Sequence, residues 1–286
     1  MLAPLRARRE VPRAARFDVI CAGEVAWKIS PELSLEPGGG AASVALALAR
    51  RGFRVGLAAV LPDDAAGDRC LEKLAASGVD VGGVLLVPER ASLVVVDASG
   101  TANPSHPFSD APTLELPREW TSQILLLSGL SPHLPQAAAL CRAARAARRQ
   151  GSFVFLDADA NLRAWAGRDP RTVRMLLREI DVARCGVTDL AVLGMDVRSM
   201  RNALRPSAVL VLDDAARGVV ANGPFGEVAY TPPDARAVRA RGAGDACTAA
   251  ICSELMRRGK PGESPVGRWH RALAAAHAER YLASKS

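Results

Sequence analysis

Short apolar runs recur along the chain, each followed by a turn and then by a stretch of helical periodicity. They read Phe17-Asp18-Val19-Ile20-Cys21-Ala22-Gly23, Arg54-Val55-Gly56-Leu57-Ala58-Ala59-Val60, Ile124-Leu125-Leu126-Leu127-Ser128-Gly129, Ser152-Phe153-Val154-Phe155-Leu156-Asp157 and Ala208-Val209-Leu210-Val211-Leu212. A run with little polar alternation suits a strand buried on both faces, and strands that alternate with helices build a mostly parallel sheet with helices on both sides. Ligands of such sheets bind beyond the carboxyl ends of the strands. The segments ending at Gly23, Ser128 and Asp157 are therefore expected to open toward one crevice. The core of these 286 residues must be packed from Ala, Val and Leu, because 49% of the chain is hydrophobic and only 4% aromatic.

The net charge of +7 comes mostly from arginine and favours anionic ligands such as nucleotides or sugar phosphates. Arg142, Arg145 and Arg149 share one helical face, but they alternate with Ala and lack interleaved aromatic residues. That pattern is a solvated face rather than a nucleic-acid stripe. Cysteines stand at 21, 70, 141, 185, 247 and 252 without a CxxC pair, and His106, His133, His270 and His277 show no ligand spacing with them. Buried thiols of a reducing compartment are expected, not disulfides or a zinc site. Residues 1–16 are Arg-rich and lack a continuous apolar core, which reads as a disordered basic tail, with a transit peptide as the alternative. No run is long enough to span a bilayer, so a cytoplasmic protein without a membrane partner is expected.

Two glycine-rich stretches carry the chemistry. In Arg241-Gly242-Ala243-Gly244-Asp245, followed by Ala246-Cys247-Thr248-Ala249-Ala250-Ile251-Cys252, a tight turn runs into a helix whose first N–H groups lack intrahelical partners. The helix dipole adds partial positive charge there, which makes a seat for an anion such as a phosphoryl group in transfer. Asp245 at its rim has the chemistry of a base for an attacking hydroxyl. The plainer reading is a glycine turn with Asp245 as a first-turn or N-cap residue. The second stretch, Pro37-Gly38-Gly39-Gly40-Ala41-Ala42-Ser43, also precedes a helical segment, which Gly52 ends. Neither stretch is a GxxxxGK[ST] phosphate loop, and no GxGxxG follows the first strand, which disfavours a dinucleotide-binding protein.

Together, in order and spacing, the two stretches resemble the paired signatures of the PfkB (ribokinase-like) carbohydrate kinase family, over the chain from about Val19 to its C-terminus. The resemblance implies a ribokinase-like α/β three-layer sandwich. It places one kinase domain over residues 17–286 and lid segments near 25–36 and 84–102. The lid is expected to be reduced, because only a short segment separates Lys28 from Gly38. It implies ATP and Mg2+ as cofactors and a small-molecule substrate, with a homodimer as a way to complete the site.

The resemblance implies that Asp245 is the catalytic base and that Gly242, Ala243 and Gly244 bind the γ-phosphoryl group. It puts Gly38, Gly39, Gly40 and Ser43 at the acceptor. Family members usually carry Asn where Ser43 stands; Ser43 keeps a donor and an acceptor on a shorter arm, or caps the helix. Where the family has an acid gripping sugar hydroxyls this chain has Lys28, so either the substrate is negatively charged, or Glu24 substitutes, or Lys28 is an exposed strand residue. Asp159-Ala160-Asn161-Leu162-Arg163 is similar to the family's DxNxR stretch, and Arg163 reads either as a carboxylate reader or as a helix-surface arginine. The family's NxxE motif near magnesium appears as Gly186 and Asp189, leaving Asp189 as the metal candidate. By the nucleotide, Asp213, Ala215 and Gly218 occupy the place of a Lys/Thr-Leu-Gly run, and the two acids there, Asp213 and Asp214, would repel phosphates unless a cation intervenes. Arg239 and Arg241 replace an acid and a hydroxyl before the signature loop, where they either clamp phosphate or occlude the nest.

The expected function is ATP-dependent phosphoryl transfer to a hydroxyl of a small sugar or sugar acid. A nucleoside kinase of the same fold is the next reading, followed by a degenerate member that binds a nucleotide or phosphorylated ligand without turnover.

Overall fold

The first apolar run becomes strand β1 (Ala15–Gly23), begun two residues ahead of Phe17. The computed structural model describes residues 14–29, 35–87, 93–96, 102–104, 114–129, 134–158, 171–214, 218–231, 243–257 and 263–283. These fall into two compact units, one ending at Ser128 and the other starting at Gly129.

In the first unit the chain continues as β2 (Ala26–Ile29), β3 (Leu35–Gly38), α1 (Gly40–Arg50), β4 (Val55–Pro62), α2 (Ala65–Ala76), β5 (Val79–Val87), β6 (Leu93–Val96), β7 (Ala102–Pro104) and β8 (Trp120–Ser128). Four strands lie parallel in the order β8-β1-β4-β5. Their apolar runs are sealed, with Val19, Cys21, Leu57 and Leu125 to Leu127 wholly inaccessible. Helix α1 packs on β1 and β4 through Val44, Ala45 and Leu48, and its small residues allow the close approach. Asp64 caps α2 by accepting from the N–H groups of Ala66 and Gly67, which is the turn role its position predicts. A second sheet has the order β3-β2-β6-β7. It takes in residues from both segments expected to form a lid, whereas residues 84–87 run on within β5. Buried Trp27 on β2 ties this small sheet to α2, its Nε1–H donating to the carbonyl of Ala66 at 3.1 Å.

The second unit runs α3 (Leu134–Arg149), β9 (Phe153–Asp157), α4 (Arg171–Leu177), β10 (Val182–Gly186), α5 (Val187–Val192), α6 (Val197–Ala203), β11 (Val209–Asp214), β12 (Gly218–Gly223), β13 (Gly226–Tyr230), α7 (Ala243–Met256) and α8 (Pro265–Ala283). Strands β9, β10 and β11 are parallel neighbours, and β12 and β13 add on antiparallel. The nine strands of these parallel-type sheets, four in one unit and five in the other, are mostly parallel with helices between them, the α/β class expected. On α3 the arginines at 142, 145 and 149 are exposed, and Arg145 pairs with Glu179 at 2.7 Å, as a solvated face should. Helix α7 is buried on nearly every side from Cys247 to Glu254, which is why its sequence is small and apolar all round. Its buried acid Glu254 is held by Arg257 and by Arg271 of α8. All six cysteines are buried, and none is in a disulfide. Among the described residues no helix is long and apolar enough to cross a membrane.

Candidate active site

Helix α7 starts at Ala243, so Ala243, Gly244 and Asp245 are its first three residues. The helix therefore begins earlier than the apolar run alone suggests. Their N–H groups have no partners within the helix, and the dipole of a 14-residue helix converges on them. Asp245 is half-buried in this first turn.

Beneath the turn lie the carboxyl ends of three parallel strands. Arg184 of β10 stands in register with Asp157, the last residue of β9, and Gly186 with Asp213 of β11. Alternation along a strand puts Arg184, Asp157 and Asp213 on one face. The Arg184 guanidinium donates from Nη1 to Asp157 Oδ1 at 2.8 Å and from Nη2 to Asp213 Oδ2 at 3.1 Å. The other Asp157 oxygen accepts from the hydroxyl of Thr248, on α7, at 2.6 Å. Arg184 is 7% and Asp157 1% exposed, while Arg184 Nε has no hydrogen-bond partner. Burial works against the Arg184 charge, but Asp157, Cys247 and Asp213 around it hold its pKa well above the ordinary arginine value. Burial also pushes the Cys185 thiol up to about 12, and raises that of Cys247 against the opposing pull of Arg184. These thiols are inert.

A Cβ on Gly244 would lie 3.1 Å from Arg184 Nη2 and 3.4 Å from Nη1. The second glycine of the signature is therefore a site of close approach between the helix start and a buried guanidinium. Sequence reasoning placed Asp213 by the nucleotide with a repulsive charge. The structure pairs it with a cation, Arg184, to which the sequence analysis assigns no role. Its signal was a lone arginine inside the apolar run Val182-Ala183-Arg184-Cys185. Thr248 was missed as well, since a threonine inside a small-residue helix has no local signature. Gly218 opens β12 opposite Asp214 with φ +81°.

Asp189 sits in the first turn of α5, where its Oδ2 accepts from the N–H of Gly186 at 2.7 Å. That bond is the reciprocal half of a helix cap. Among the described residues no three or more His, Cys, Asp or Glu side chains gather as a metal site. The described carboxylates thus do not form a protein-only seat for Mg2+.

The acceptor candidates belong to the first unit. Gly39 is the N-cap of α1, with φ +86°, and a Cβ there would lie 2.6 Å from the carbonyl oxygen of Glu24. Only glycine fits both the left-handed backbone and that contact. Gly38 ends β3 and Gly40 begins α1, both buried. Ser43 is half-buried in the first turn, its N–H donating to the Gly39 carbonyl at 2.9 Å, so it is not the cap of the helix. Glu24 is half-buried just after β1, and Lys28 lies on β2, paired in register with Glu36 and Val94. Arg163, Ala215, Arg241 and Gly242 lie outside the described residues.

The alternating helices and mostly parallel strands define an α/β protein of the ribokinase-like class. A model of the pfkB family carbohydrate kinases matches residues 15–278, and the chain belongs to that family. Compared by sequence with curated proteins, it matches none. Among solved structures it is similar to an aminoimidazole riboside kinase from Salmonella enterica complexed with aminoimidazole riboside and an ATP analog. That match has 19% identity and a TM-score of 0.75, covering 95% of this chain and 94% of that one. It is also similar to a fructokinase with bound ATP from Xylella fastidiosa, at 20% identity and a TM-score of 0.74 over 94% and 92% of the two chains. A fructokinase double mutant from Vibrio cholerae O395, in a fructose, ADP and potassium ion bound form, has 19% identity and a TM-score of 0.74 over 96% and 93%.

Proposed function

We propose that the chain is an ATP-dependent kinase that phosphorylates a hydroxyl of a small sugar or sugar acid. The observation that carries this reading is the start of α7 at Ala243, which puts Ala243, Gly244 and half-buried Asp245 together in one first turn. N–H groups of a helix's first turn can stabilise charge on a phosphoryl group, and a carboxylate in the same turn can take the acceptor's proton. Family membership supports the assignment, and the solved relatives bound to ATP or ADP support nucleotide use.

ATP supplies the phosphoryl group. In this reading Ala243 and Gly244 hold its phosphate oxygens through backbone N–H, with Gly242 and Arg241 preceding them, and Asp213, Ala215 and Gly218 flank the nucleotide. Arg184 lessens the repulsion between Asp213 and phosphate, although it shares its charge with Asp157. Gly38, Gly39, Gly40 and Ser43 seat the acceptor, with Glu24, Lys28 and Arg163 reading its polar groups. Asp189 would be the protein's contact to Mg2+, whose other ligands would come from phosphate and water. The enzyme is proposed to work in the cytoplasm on a small molecule, with a homodimer as its assembly. The riboside kinase among the similar structures supports a nucleoside as the next acceptor class to test.

The test is Asp245→Asn, assayed for ADP release with ATP, magnesium and a panel of sugars, sugar acids and nucleosides. Turnover is expected to fall about 10²–10⁴-fold with ATP affinity retained, the usual contribution of a positioned base. Nucleotide binding without turnover of any acceptor by the wild-type chain would instead establish the degenerate reading.

A further inference from the structure

Arg184 is a buried cation to which the proposed reaction gives no contact with acceptor or nucleotide. Its guanidinium spends one nitrogen on Asp157 and another on Asp213, and its Nη edge packs against Gly244. Asp157 in turn receives the Thr248 hydroxyl, one turn further along α7. The start of α7 is thus tied at two points to the ends of β9, β10 and β11, by contact at Gly244 and through Asp157 at Thr248. Helix starts ordinarily fray, and a lysine could not hold two carboxylates while offering a flat edge to a glycine.

We propose that Arg184 is a positioning residue that fixes the first turn of α7 against the strand ends, and so sets where the Gly244 and Asp245 amides and the Asp245 carboxylate stand. The inference rests on the reading of this turn as the phosphoryl site. Arg184 acts through Asp157, Thr248 and Gly244, and touches neither substrate nor nucleotide in this account. The glycine follows from the same arrangement, since any side chain at 244 meets a guanidinium that two acids hold in place.

The experiment replaces the cluster by a neutral one of similar shape, Asp157→Asn/Arg184→Met/Asp213→Asn, in the full chain. Amide hydrogen exchange is then followed residue by residue. The amides of Cys247 and Thr248 bond back to the carbonyls of Ala243 and Gly244, so their exchange reports the first turn. They are expected to exchange at least ten-fold faster than in the wild type, while amides of β10 and β11 stay within two-fold. With an acceptor that the wild type phosphorylates, kcat is expected to fall at least ten-fold and the acceptor KM to stay within two-fold, a split that general loosening would not produce. Unchanged exchange at Cys247 and Thr248, or an equal rise throughout the sheet, overturns the proposal whatever the activity. Should the triple variant fail to fold, Arg184→Lys keeps a cation beside the acids and gives the same comparison. If the wild type phosphorylates nothing while the exchange result holds, the kinase reading falls and the brace stands.

Discussion

The two glycine-rich turns of this chain solve the same geometric problem with different materials. At Gly39 backbone meets backbone: a left-handed residue caps α1 and lies against the carbonyl of Glu24, with no ion pair among the contacts described for it. At Gly244 backbone meets a side chain, a guanidinium held by two acids at the ends of neighbouring strands. The first turn is therefore specified by shape, and the second by shape plus a buried guanidinium shared by two carboxylates. A shape-specified turn fails when an atom is added. An ion-paired one fails when the shared cation is taken away, because the acids left behind are buried without it.

The largest effect expected from this contrast is on Arg184→Met. The substitution keeps an unbranched apolar stem but strands Asp157, 1% exposed, without its cation. Removing one partner of a buried ion pair costs about 3–5 kcal/mol. Urea unfolding should show a loss of that size, with Asp157→Asn/Arg184→Met recovering part of it. A loss under about 1 kcal/mol would mean that water reaches the cluster and that the second turn is held by shape like the first.

Gly39→Ala comes next. A non-glycine residue in the left-handed region costs about 1–3 kcal/mol. The added methyl also meets a backbone carbonyl at 2.6 Å, which no rotamer change relieves. Unfolding measurements should place the variant in that range or beyond, and the acceptor KM should rise if Gly39 serves the acceptor. The matching change at Gly244 meets side-chain atoms at 3.1 Å, so Gly244→Ala should cost less stability than Gly39→Ala. The reverse order would break the comparison.

What was legible beforehand divides along the same line. The strands could be read because a doubly buried strand writes its burial into consecutive residues: Val19, Leu57, Leu125 and Phe155 all sit inside runs seen from sequence. The two glycine turns could be read because a tight turn into a helix has a local signature. The ion cluster could not, since it joins residues 157, 184, 213 and 248, and their meeting depends on strand register that no local pattern encodes. Asp189 shows a different limit of local reading. An acid three residues after Gly186 matched a metal-site position, but the same spacing serves a helix start, and there its Oδ2 accepts from the Gly186 N–H. Spacing alone does not separate the two roles.

The smallest effect tests whether burial, rather than distance, sets the value of a charge pair. Lys73 and Glu36 form an ion pair in the first unit at 3.3 Å, close to the 3.1 Å of Arg184 and Asp213. Their side chains are 47% and 61% exposed, against 8% and 12% for the buried pair. Water screens the exposed attraction, and two long side chains lose rotamer freedom in making it, so such pairs contribute about 0.2–1 kcal/mol. Lys73→Ala should therefore lower stability by no more than that, and the small difference should shrink further at 1 M salt, where the screening length is about 3 Å. Arg184→Met should keep most of its cost at the same salt, because ions do not enter the cluster. Equal salt sensitivity in the two variants would show that the Arg184 cluster is open to solvent, and the ion-paired turn would lose its distinction from the shape-built one.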